Sequence, residues 1–184
     1  MQYTSRNGFY VESELVKMTE KQTELEKIAR QKLIDRGVEI QDIAELVYYL
    51  QVKYYQELTM EDCVHNVNRV LTKREVQHAI LTGIELDELA EKGLLSEPLQ
   101  DIIHRDEGLY GIDEVIALSI VNVYGSIGFT SYGYVDKKKP GILRQLNKHE
   151  NGTVHTFLDD IVGAIAAAAA SRLAHSTAGD IVEG

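Results

Sequence analysis

The sequence predicts an all-α fold, a single-domain multi-helix bundle. Three observations carry this. The 184 residues hold only two prolines and no tryptophan, and they are rich in Leu, Ile, Ala, Glu and Lys, most of them strong helix formers. Capping signals recur along the chain, each followed by an apolar stripe of helical period. One segment, IDEVIALSIVNV at 112–123, is apolar on nearly all sides, which predicts a central helix at about 112–124 surrounded by the others.

Taken in order, residues 1–17 show neither period nor cap and read as a loose leader, of vector origin or an upstream start, with Met18 a candidate natural start. The domain is expected over 18–173, followed by a frayed tail at 174–184. Thr19 and Gln22 form a capping box for a helix carrying Leu25, Ile28, Ala29 and Leu33 on one face, stopped by Gly37. A second helix covers about 41–55, with Ile43, Leu46, Val47, Leu50 and Tyr54 as its stripe. Thr59 opens a third, with Val64, Val67, Val70 and Leu71. A fourth starts at 72–75 and ends at Gly83, and a short helix at 86–92 ends at Gly93. Ser96, with Pro98 in the first turn, opens another that reaches His104. Beyond the apolar helix, Gly125, Gly128 and Gly133 mark a flexible connection. Lys139-Pro140 starts a helix to about residue 147, Asn151-Gly152 is a turn, and Thr156 to Asp159 opens the last helix, through roughly Leu173.

Composition narrows the function. The net charge of −10 argues against nucleic-acid binding, which needs a basic stripe, and against electrostatic docking to anionic lipid. A single cysteine, Cys63, permits no intrachain disulfide; it reads as a small core residue and makes an intracellular setting the default. The longest nearly apolar run, 161–170, is too short to span a bilayer, and no secretory signal is visible. A cytoplasmic protein is expected, with any membrane contact peripheral.

The chemistry gathers in three acidic knots between 106 and 170: Asp113-Glu114, Asp136 beside Lys139-Pro140, and Asp159-Asp160. Two of them sit in the first turn of a helix, where the dipole alone favours a carboxylate. Together they also fit another purpose. Neighbours on a helix point about 100° apart, so one acid of each pair can face inward while the other braces it. Carboxylates from separate helices supply the oxygen donors that a hard cation such as Mg²⁺ takes. Gly163, Ala167 and Ser171 form a small-residue ridge on the last helix, against which the 112–123 helix is expected to pack. Lys139, held at a helix start, is placed to donate to a phosphate that free backbone N–H groups also approach. His155 reads as a turn histidine, with metal or phosphate binding as the alternative.

IDEV at 112–115, YVDKKKPGI at 134–142 and GTVHTFLDDIVGA at 152–164 resemble, in order and spacing, the phosphatidylglycerophosphatase A family, and the whole chain resembles its soluble low-temperature-requirement C-like branch from Gram-positive bacteria. The resemblance implies a Mg²⁺-dependent phosphatase acting on a phosphomonoester, in the family the lipid phosphatidylglycerophosphate. By motif it implies Asp113, Glu114, Asp159 and Asp160 as metal ligands, and Asp136, Lys139 and Asp160 as catalytic residues. The family's N-terminal Gly-rich motif is not recognisable, although Gly125-Ser126-Ile127-Gly128 could stand in for it. The family's membrane-spanning helices are also missing.

The expected reaction is metal-assisted monoester hydrolysis, with a covalent aspartyl intermediate left open. Two other classes remain: a non-catalytic metal-binding regulatory or interaction module, and an all-α Mg²⁺-dependent nucleotide pyrophosphohydrolase, whose paired Glu-x-x-Glu pattern is not evident. Expected partners are the phosphomonoester, a membrane lipid headgroup among the candidates, and a further copy of the chain through its tyrosine-rich helices.

Overall fold

In the computed structural model, residues 23–148 and 152–182 are described, with side chains as far as Ser176. The expected leader and the Thr19–Gln22 capping box lie outside them. Every regular element among the described residues is helical, as the sequence predicts: α1 (23–35), α2 (Ile40–Gln51), α3 (Met60–Leu71), α4 (Arg74–Glu91), α5 (Leu99–His104), α6 (Ile112–Val121), a 3₁₀ turn (Asn122–Tyr124), α7 (Ser126–Lys138), α8 (Ile142–Leu146) and α9 (Leu158–Val182).

Several boundaries follow from local chemistry. Gly37 takes φ +78° and ends the first turn-back, a conformation cheap only for glycine. Thr59 caps α3 through a reciprocal box with Asp62: the Asp62 amide donates to Thr59 Oγ1 at 3.1 Å, and the Thr59 amide donates to Asp62 Oδ2 at 3.1 Å. Cys63 is buried in the core, as expected. Ile28 and Tyr54, expected on buried stripes, are exposed. α2 stops at Gln51, so Tyr54 follows the helix and does not share its inner face.

The centre of the bundle belongs to α9 and not to the 112–124 helix. Phe157, Leu158, Ile161, Val162 and residues 164–171 are buried all round, and α9 packs on α2, α3, α4, α6, α7 and α8. Its alanines allow neighbours to approach closely on every side. α6 buries only Asp113, Ala117, Ile120 and Val121, and leaves Ile112 and Val115 exposed. α6 packs closely on α9, as expected, and the small-residue ridge also receives α7 and the 3₁₀ turn: Gly163 lies against Val135 and Tyr132, and Ser171 Oγ donates to the Tyr124 carbonyl at 2.8 Å. α9 also continues past Leu173 to Val182.

Two glycine readings are corrected. The segment 126–138 is a helix, α7, with Gly128 seated against Val121. Gly83 does not end α4 but lies inside it, because α9 crosses there. A Cβ at Gly83 would lie 2.3 Å from Ile161 Cδ1 and 2.9 Å from Phe157 Cβ. Ile161 can swing aside, but Phe157 Cβ is fixed to the backbone. Gly83→Ala is therefore expected to destabilise the fold by about 1–2 kcal/mol, overpacking outweighing the roughly 0.5–1 kcal/mol that alanine gains in helix propensity. A urea midpoint that rises in this variant would show that the crossing is looser than described.

Candidate functional site

Two helix starts and one helix end meet around a polar cavity of about 300 Å³. α6 presents Asp113 and Glu114 from its first turn, following Gly111 in the left-handed region (φ +65°). α9 presents Asp159 and Asp160 from its own first turn. α7 contributes Asp136 from its last turn, and Lys139 just beyond it. All six predicted site residues line this one cavity, with Asp106, Asn147 and Thr156.

The two doublets are built alike. Asp113 Oδ1 accepts the Glu114 amide at 2.8 Å, and Asp159 Oδ1 accepts the Asp160 amide at 2.9 Å. In each pair the first acid caps its own helix turn and keeps its second oxygen for the cavity. Dipole capping is thus real, and it does not use up the carboxylates.

Lys139 holds the centre, though not in the expected way. It sits in the left-handed conformation (φ 42°) at the C-terminus of α7 rather than at a helix start, and α8 begins only at Ile142. From there its Nζ donates to Asp159 Oδ2 at 2.7 Å and pairs with Asp136 Oδ1 at 2.7 Å and Asp160 Oδ1 at 3.5 Å. Burial opposes its charge, but Asp159, Asp136 and Asp160 outweigh that and raise its pKa above the ordinary lysine range.

One ammonium among six carboxylates leaves a large negative excess. Burial first, then repulsion from Asp159, pushes Asp160 up to about 8. Burial likewise raises Asp113 and Asp159. The Tyr132 hydroxyl lies buried beside Asp160.

The donor set is all hard oxygen, which suits Mg²⁺. Its excess charge is of the kind that a dication relieves. Among the described residues, however, no three His, Cys, Asp or Glu side chains converge as a ready-made metal cage. Asp136, Asp159 and Asp160 are arranged around Lys139.

A second polar cluster, not foreseen from the sequence, fixes the segment that leads into α9. Asp87 on α4, fully buried, accepts the Phe157 amide at 3.1 Å and the Leu158 amide at 3.0 Å. It, and not Thr156, caps α9; Thr156 Oγ1 donates to the Ile103 carbonyl. Glu91 Oε1 accepts the Val154 amide at 2.8 Å and Arg36 Nη2 at 2.6 Å, and Arg36 also donates to the Val154 carbonyl at 2.6 Å. His155 Nδ1 lies 3.1 Å from Arg36 and does not line the cavity. Gly125 to Gly128 also lie away from it, at the entry to α7. No sequence pattern marks Asp87, since in IELDEL it reads as a surface acid. No sequence pattern marks Asp106 either.

A pH dependence follows. Burial pushes Asp87, like Asp160, up to about 8 from an ordinary 3.8. Between those values the folded chain keeps protons that the unfolded chain releases, so stability is lost as pH rises through this window. Asp62 and Glu88, held below their ordinary values by Thr59 and Lys32, act oppositely, but only at more acid pH. In chelator, the Tm is therefore expected to be higher at pH 5 than at pH 8.5. A thermal-shift series rising over that interval would contradict these environments.

Comparison with known proteins places this geometry. The phosphatidylglycerophosphatase A family profile matches residues 34–175. The uncharacterized protein YutG of Bacillus subtilis (strain 168) is 66% identical over 153 residues, covering 83% of this chain and 92% of the relative. The uncharacterized protein YpjQ of the same organism is 58% identical over 153 residues, covering 83% and 86%. Among solved structures, the low temperature requirement C protein from Listeria monocytogenes is 70% identical with a TM-score of 0.82, covering 83% of this chain and 96% of that one. A protein of unknown function from Bacillus stearothermophilus is 71% identical with a TM-score of 0.81, covering 82% and 94%.

Proposed function

The chain belongs to the phosphatidylglycerophosphatase A family, and on that premise we propose that it is a Mg²⁺-dependent phosphatase that hydrolyses a phosphate monoester carried on a phospholipid headgroup. The observation that carries this is the meeting of Asp113, Glu114, Asp136, Lys139, Asp159 and Asp160 around one cavity, from motifs far apart in sequence. Asp113, Glu114, Asp159 and Asp160 would hold the cation. When bound, Mg²⁺ would supply Lewis-acid polarisation of the phosphoryl oxygens.

The chain's own groups do the rest. Lys139 lies within reach of a phosphate in the cavity and neutralises charge that grows on the transferred group. Asp136 holds that ammonium in place from one helical turn away. Asp160, which lines the same cavity, would be the group that accepts a proton from attacking water.

The test is turnover by the purified full chain of phosphatidylglycerophosphate, soluble phosphomonoesters and nucleotides, with Mg²⁺ and with chelator. Metal-dependent phosphate release from a monoester is the expected result. Metal binding without turnover would establish the non-catalytic regulatory reading in its place, and release of pyrophosphate from nucleotides would establish the pyrophosphohydrolase.

A further inference from the structure

We infer that Tyr132 is the positioning residue for Asp160: its buried hydroxyl donates to the Asp160 carboxylate from behind the cavity and fixes which oxygen that acid presents to cation and water. This rests on the phosphatase reading and adds a residue that none of the three motifs contains.

Two helices set the placement. Tyr132 stands one turn before Asp136 on α7, so the two share a face, as residues four apart on a helix do. α7 packs along α9, and there the Tyr132 ring lies against Gly163, one turn beyond Asp160. Asp136 and Asp160 line the cavity, whereas Tyr132 does not, so its hydroxyl approaches the acids from the protein side. Tyr132 is 6% exposed and its hydroxyl oxygen is shut off from solvent.

Hydrogen-bond accounting then singles out the partner. A buried hydroxyl that donates to nothing costs its full desolvation, and phenylalanine would fill the same space without that cost. No backbone carbonyl among the described residues accepts from Tyr132. The charges that act on it most are carboxylates, Asp160 first, then Asp136 and Glu114, and an ionised carboxylate only accepts. Asp160 is also the acid least held by other groups. Asp113 and Asp159 are each fixed by the following amide, at 2.8 and 2.9 Å, and Lys139 holds Asp159 and Asp136 at 2.7 Å. Asp160 has that ammonium only at 3.5 Å. A donor in need of an acceptor thus stands beside a carboxylate in need of a donor, inside a wall where a charge-assisted bond is strong. With one oxygen held by the phenol, the other is aimed into the cavity, which is how outer hydrogen bonds orient ligating carboxylates.

The experiment removes one oxygen atom, by Tyr132→Phe in the full chain, with Asp160→Ala and the double variant closing a cycle. In urea with chelator, Tyr132→Phe should lower the folding equilibrium constant about tenfold, the order of one charge-assisted hydrogen bond, and should not lower it when residue 160 is alanine. By calorimetric titration the Kd for Mg²⁺ should rise about tenfold, the scale of a lost outer hydrogen bond to a ligand. At saturating Mg²⁺, kcat for a soluble monoester should fall about tenfold with KM unchanged. In the Asp160→Ala background neither value should change further. A Tyr132→Phe chain that matches wild type in Mg²⁺ affinity and kcat overturns the inference whatever the urea cycle shows, since the hydroxyl is then a packing feature. Equal effects in both backgrounds also overturn it, because Tyr132 would then act by a route other than Asp160. If no monoester is turned over while Mg²⁺ affinity follows the variants, the phosphatase reading fails and the positioning role stands. A chain that neither binds Mg²⁺ nor turns over a monoester takes both down.

Discussion

Asp160→Asn is expected to lower kcat by about 10²–10⁴-fold, the range set by loss of a positioned general base, and at the same time to raise the Tm at pH 8. The opposite signs are the point. Asp160 is 6% exposed, faces Asp159 and Asp113, and has Lys139 only at 3.5 Å, whereas the lysine holds Asp159 and Asp136 at 2.7 Å. A carboxylate kept for stability alone would have the better share of that ammonium. Asparagine keeps the shape and removes a buried charge, so the fold gains what the repulsion had cost. Residues that destabilise their own fold in this way mark sites where chemistry sets the sequence. The measurement is a pair: steady-state turnover with Mg²⁺, and a denaturation curve in chelator. A variant that is both inactive and less stable would make Asp160 a structural anchor. One that is active and more stable would remove it from the mechanism.

The same contrast explains what the sequence reveals and what it hides. The caps and stops at Thr59 and Gly37 are local chemistry, so they were legible. The convergence of the six candidate residues was legible because three motifs keep their order and spacing, and the fold closes on them. Which helix lies at the centre was not. The 112–123 segment is the more hydrophobic by residue type, but its Ile112 and Val115 point outward, while α9 reaches full burial with alanines. Periodicity cannot separate a helix that is covered all round from one whose apolar outer face is left open. Lys139-Pro140 misled for a related reason. Proline two residues past a helix end is as regular as proline in a first turn, and only the left-handed backbone at Lys139 settles which applies. Gly83 and Asp87 were hidden because their purpose is set by α9, which crosses them from more than seventy residues away.

Asp87→Ala is expected to destabilise the fold by about 3 kcal/mol, because it strands two buried amides, Phe157 and Leu158, each worth roughly 1–3 kcal/mol when left unpaired. The helix it caps is the one that runs through the core, so no surface water can substitute readily for the lost acceptor. Asp87→Asn should behave differently. It retains an oxygen to accept the amides and removes the charge that burial penalises, so at pH 8 its stability should lie within about 1 kcal/mol of wild type. The alanine variant should also lose turnover, since Asp159 and Asp160 stand on the turn that Asp87 pins, while the asparagine variant keeps most of it. Equal stability losses from alanine and asparagine would mean that the charge, and not the acceptor oxygen, secures α9. A stable alanine variant would mean that Arg36 and Glu91 hold the 154–157 segment by themselves.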